Sequence, residues 1–181
     1  MWYPLAASAL KDRLQVCTRA DLLNAGHTDH QVRKVLRQGR LLKLGSHWYG
    51  TAATPFAVAA ALRSNHRLTC VSALELHGVF VPATPWPHEV GRQCSCPQWG
   101  QVMEHRPLRR WPDDEPVTPL PMALQHAASC LDAEGAAIVL ESALHQRMVT
   151  GEEADRAIGG RRPGHRVRLQ KPSHRATQLR Q

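Results

Sequence analysis

Four side chains with nitrogen or sulfur donors lie close together in the chain, His88, Cys94, Cys96 and His105. Thiolates and imidazoles are the ligands zinc prefers, and two of each could close a tetrahedral site. The spacing argues against it, because structural zinc sites usually place two to four residues between paired cysteines and Cys94 and Cys96 are separated by one. Ordinary strand cysteines with no metal and no other cofactor are expected, with a zinc site as the alternative. Ser72 and His77 could pair as nucleophile and base, yet no Gly-x-Ser-x-Gly elbow surrounds the serine. His77 with Gly78 reads instead as a helix end, the imidazole near the negative end of the dipole and the glycine supplying a left-handed turn. Asp113, Asp114 and Glu115 offer carboxylates for magnesium, but Pro112 and Pro116 flank them and no phosphate-cradling loop is present, so a solvated turn is expected. No catalytic residue is assigned, and the chain is read as a non-enzyme.

A second group of residues suits polyanion binding. The 181-residue, 20.2 kDa chain carries 23 Lys and Arg against 15 Asp and Glu, a net charge of +8 with neutral histidines. That excess is unevenly placed. Residues 1–50 are net basic by five, residues 51–160 net acidic by four, and residues 161–181 hold seven basic groups and no acid. A basic head and a basic tail therefore flank an acidic body, and nucleic acid is the partner class to test first. The five scattered cysteines make a poor disulfide framework and suit a reducing compartment. There is no apolar run long enough to span a bilayer and no basic leader, so a cytoplasmic, nucleoid-associated protein without membrane contact is expected.

The elements that must position the basic groups can be read from caps and periodicity. Leu5, Ala9, Leu10 and Leu14 predict a first helix over about residues 5 to 14. Thr18 and Asp21 form a near capping box for a short second helix that stops at Gly26. Thr28 and Gln31 form a full capping box for a third, so two capped helices meet around a glycine. In the third helix Val32, Val35 and Leu36 should face inward and leave His30, Arg33, Lys34 and Arg37 outward. Residues 40 to 50 read as two short strands about Gly45-Ser46, a wing. Further on, four helical stretches are expected over residues 55–65, 68–78, 122–148 and 151–160, the third broken near Glu134-Gly135. A small sheet is expected from about residues 88 to 92 and 101 to 106, with Trp86, Trp99 and Trp111 either covering its edge or forming an exposed partner surface.

The segment CTRADLLNAGHTDHQVRKVLRQGRLLKLGSHWYG, residues 17–50, resembles the winged-helix start of AbiEi-type antitoxins and their actinobacterial relatives. RLTCVSALELHGV, PVTPLPMALQHAAS and ESALHQRMVTGEEADRAI are similar to that family's later helices, so the resemblance spans roughly residues 10 to 160. It implies a repressor that binds operator DNA upstream of its own gene, often beside a nucleotidyltransferase-like toxin. Many relatives continue into a very-short-patch-repair-like nuclease domain. This chain continues instead into a basic segment and contains no Glu-x-Lys, so cleavage by that mechanism is not expected.

The combined expectation is an α+β, mostly helical protein. A winged helix-turn-helix would occupy residues 1–54, a helical domain with a small sheet residues 55–160, and a basic tail without a core of its own residues 161–181. The DNA-binding set is Thr28, His30, Gln31, Arg33, Lys34 and Arg37 of the third helix, with Arg40, Lys43, Ser46 and His47 on the flanking backbone. Double-stranded DNA is the expected partner. The alternatives are an interaction protein that neutralises a cognate toxin by direct binding and an enzyme fragment that has lost its nuclease domain.

Overall fold

The computed structural model describes residues 9–84, 87–91, 102–105, 114–159 and 168–170. About half of the described residues are helical, and two small sheets complete an α+β architecture. The chain opens with helix α1 (Ala9–Leu14), strand β1 (Val16–Thr18), helix α2 (Arg19–Asn24) and helix α3 (Asp29–Arg37), followed by strands β2 (Leu42–Lys43) and β3 (Trp48–Gly50). The capping boxes are formed by both pairs of residues. The Thr18 hydroxyl accepts the Asp21 N–H while the Asp21 carboxylate accepts the Thr18 N–H, and Thr28 and Gln31 do the same for α3. Gly26, between the two helices, has φ +85°, a value that a side chain disfavours. β2 and β3 form the expected antiparallel hairpin. The sequence reading missed β1, which pairs antiparallel with the other edge of β3 and makes a three-stranded sheet of order β1-β3-β2.

The rest of the chain is helix α4 (Phe56–Arg63), strand β4 (His66–Leu68), helix α5 (Cys70–His77), strands β5 (His88–Gly91) and β6 (Val102–His105), helices α6 (Leu120–Cys130), α7 (Ala133–His145) and α8 (Gly151–Gly159), and strand β7 (Arg168–Gln170). The second sheet has the order β4-β5-β6-β7, with β5 and β6 parallel and the outer pairs antiparallel. The structure corrects two expectations. The α6 to α7 break falls at Leu131 and Asp132, not at Glu134-Gly135, because the Asp132 side chain accepts the Gly135 N–H and starts a new helix. His66 to Leu68 form a buried strand ahead of α5, where a helix was expected from Leu68 onward. Within the basic tail, β7 pairs along the edge of β6. Trp86, Trp99, Trp111, Asp113 and the remaining tail lie outside the described residues.

One apolar core joins the halves of the chain. Leu14, Val16, Leu44 and Trp48 from the first block lie in the same buried cluster as Val58 and Leu62 of α4, Val71 and Leu74 of α5, Leu124 of α6 and Val139 of α7. A smaller core of Cys17, Leu22, Val32, Leu41 and Tyr49, with Val35 and Leu36 against it, holds α2 and α3 on the first sheet. Among the described residues no helix is long and apolar enough to cross a membrane.

Candidate nucleic-acid interface

The smaller core determines which side of α3 faces out. Val32 is buried and Val35 and Leu36 are half-buried, so the inward set is the one the periodicity gave. His30, Gln31, Arg33, Lys34 and Arg37 are exposed, as are Thr28, Arg40, Lys43 and Ser46, while His47 is half-buried. His47 stands beside Trp48, ring centroids 5.6 Å apart, and its Nδ1 lies 2.9 Å from the Ser46 hydroxyl. The side chains of Thr28 and Gln31 are engaged in the cap of α3, which makes them positioning groups for the helix.

The cations of the first block fall into two groups. Lys11 is 2% exposed, with Nζ 3.0 Å from Asp21 Oδ2 and 5.8 Å from the Trp48 ring centre. Arg19 reaches across to Asp29 at 2.7 Å, tying the start of α2 to the start of α3. Both are structural. Arg33, Lys34, Arg37, Arg40 and Lys43 make no ion pair among the described residues and remain open to a partner from solvent. Burial alone would raise the Asp21 carboxyl, but hydrogen bonds from the Thr18 N–H, the Thr18 hydroxyl and Lys11, together with the lysine charge, hold it below its ordinary value. Beside α3 opens a groove of about 720 Å³ lined by Leu22, Val32, Val35 and Leu41 with Lys34 and Arg40.

In the body, Ser72 and His77 are engaged structurally. The Ser72 hydroxyl accepts the His88 N–H at 2.9 Å, and His77 Nε2 lies 2.9 Å from the Thr118 carbonyl, with Gly78 closing α5 at φ +92°. Burial lowers the His77 pKa and favours neutral imidazole, with the Thr118 carbonyl working in the opposite sense. Asp114 lies 3.7 Å from Lys11 Nζ. His88 and His105, the two histidines of the suspected zinc set, do come together, with His88 Nδ1 3.1 Å from His105 Nε2. The cysteines beside them are Cys70 and Cys130. Cys94 and Cys96 lie outside the described residues. The sequence carried no spacing signal for Cys70 and Cys130, which sit far apart in the chain on separate helices.

No model of a known protein family matches the chain, and comparison with curated proteins gives no match.

Proposed function

We propose that the chain is a sequence-specific DNA-binding transcriptional regulator, a repressor of the AbiEi-antitoxin kind, whose first block acts as a winged helix-turn-helix. The observation that carries this reading is the outward face of α3. It is capped at its N-terminus, seated on its own small core and lined with Arg33, Lys34 and Arg37, none of them in an ion pair among the described residues, whereas Lys11 is buried against Asp21 and Arg19 is paired with Asp29. The element order of helix, strand, helix, helix and hairpin, with β1 closing the small sheet, supports it further. In this reading α3 enters the major groove, where arginine can make a bidentate contact to guanine. Arg40, Lys43, Ser46 and His47 on the hairpin touch the adjoining phosphates, and His30 lies at the groove edge.

A second reading, an antitoxin or interaction protein that captures a toxin directly, rests on the part-apolar groove beside α3. Footprinting on DNA upstream of the protein's own gene separates the two. The DNA reading expects protection of a discrete site. It also expects Arg33→Ala or Arg37→Ala to weaken binding by about 1 to 3 kcal/mol and relax preference at one base pair. Unaltered affinity and preference in both variants would remove α3 from the groove.

A further inference from the structure

We infer that Cys70, His88, His105 and Cys130 form a structural zinc site that joins the second sheet to helices α5 and α6. One ligand atom from each lies within 4.8 Å of all the others. With zinc–sulfur and zinc–nitrogen bonds of their usual length, a tetrahedral site separates its donors by roughly 3.3 to 3.8 Å. His88 Nδ1 and His105 Nε2 are 3.1 Å apart and Cys130 Sγ is 3.8 Å from His88 Nδ1, so these observed spacings need to change by only tenths of an ångström.

The donor set decides the ion and its role. Two sulfurs and two imidazole nitrogens in a tetrahedral cluster are the pattern of zinc, and four protein ligands leave no open position for a substrate. Two thiolates and two neutral imidazoles around a dication sum to zero charge. That suits a place where Cys70, His88 and His105 are all buried and a net charge would be costly. Cys130 is the partly exposed ligand, which gives the ion an entry path.

The backbone is shaped for the cluster. Cys70 starts α5 with φ +52°. That value is strained for a residue with a side chain, and such strain persists only where its surroundings enforce it. The Thr69 N–H bonds to the His88 carbonyl at 2.8 Å and the His88 N–H to the Ser72 hydroxyl, so the residues flanking Cys70 hold the main chain of His88 beside it. His88 and His105 stand on adjacent parallel strands, with Val90 opposite His105. The His126 ring lies 4.9 Å from the His105 ring and its Nδ1 meets the Thr69 hydroxyl, which in turn accepts from Thr118. Cys70 belongs to the main apolar core, with Cys130 packed against it, while Val90 and Met122 make a small buried cluster of their own.

The test uses the untagged full chain, grown with zinc and purified without chelator. About one equivalent of zinc per chain is expected by elemental analysis. Exchange for cobalt(II) should give the absorption bands of a tetrahedral ion with thiolate charge transfer. Stripping the zinc should lower the thermal midpoint, with recovery on adding zinc and none on adding magnesium. Cys130→Ser should weaken zinc binding by more than the roughly 10- to 100-fold typical of losing an outer-shell partner, and Cys17→Ala should keep the zinc. If Cys130→Ser does not fold, the cobalt spectrum of the unaltered chain decides. A chain that binds neither ion, that carries iron instead, or that is isolated with a Cys70–Cys130 disulfide overturns the inference. None of these outcomes depends on whether the protein binds DNA.

Discussion

At the level of single residues, the same chemical group does different work according to where the fold leaves it. Lys43 is exposed on β2 and makes no ion pair among the described residues, so on the DNA reading it acts on phosphate and without regard to sequence. Lys43→Ala should therefore lower affinity on all DNA alike and reduce the slope of log affinity against log salt by about 0.9, read by titrating at several salt concentrations. Lys11 is the opposite case, a buried cation whose partner Asp21 also caps α2. Among the described residues, removing Asp21 leaves the buried Lys11 with only the more distant, exposed Asp114 at 3.7 Å, and Asp21→Asn should cost about 3 kcal/mol in urea unfolding at neutral pH. The pH dependence has a definite sign. Asp21 titrates lower in the folded chain than in the unfolded one, so its contribution is complete above the ordinary carboxylate range and is lost as pH falls through the depressed folded value. Wild type should lose stability on acidification below the ordinary carboxylate range more steeply than Asp21→Asn, which has no such contribution to lose.

At the level of elements, what was legible was what is local. The two capping boxes, the glycine between them and the inward triad of α3 are encoded within a few residues, and each is formed as read. Gly26 at φ +85° has nothing within 4 Å of where a Cβ would stand. Gly26→Ala therefore meets only the backbone cost of a left-handed residue, about 1 to 2 kcal/mol. Thr28→Ala removes the cap of α3 and should cost about 1 kcal/mol. A denaturant midpoint checks both, and near-neutral values would mean that α3 does not depend on its start. The strands β1, β4 and β7 were not legible because each is too short to show a period of two, and His66, Arg67 and Leu68 are all buried, which erases alternation. The cap at Asp132 is also local, and Gly135, which resembles a helix break in the sequence, is the residue whose N–H that cap receives. The Cys70, His88, His105 and Cys130 cluster was half legible. The two histidines lie on neighbouring strands that periodicity could find, whereas Cys70 and Cys130 reach them only through the packing of α5 and α6 over the sheet.

For the whole molecule, the issue is how a basic head, an acidic body and a basic tail share one fold. The head is fixed to the body through the core that runs from Leu14 and Trp48 to Val139, so α3 is carried on a frame that includes α4, α5, α6 and α7. The tail reaches that frame through the second sheet. β7 pairs with β6 through Val102 opposite Gln170, Met103 opposite Leu169 and Glu104 opposite Arg168, which places part of a segment with seven basic groups along the edge of that sheet. Removing everything after Gly160 therefore has two separable consequences. The first is mechanical. β6 loses its outer neighbour and shows an unpaired edge, so the thermal midpoint should fall by a few degrees and the truncated chain should aggregate more readily at high concentration. The second is electrostatic. On the DNA reading, seven fewer basic groups should weaken binding and flatten its salt dependence by about 0.9 for each phosphate no longer neutralised. Melting curves and salt-titrated gel shifts on the same truncated protein resolve the two. A lower midpoint with intact affinity would make the tail a strap for the sheet alone, an intact midpoint with weaker binding would make it an arm for DNA alone, and losses in both would show β7 anchoring an arm whose remaining cations lie on the phosphates.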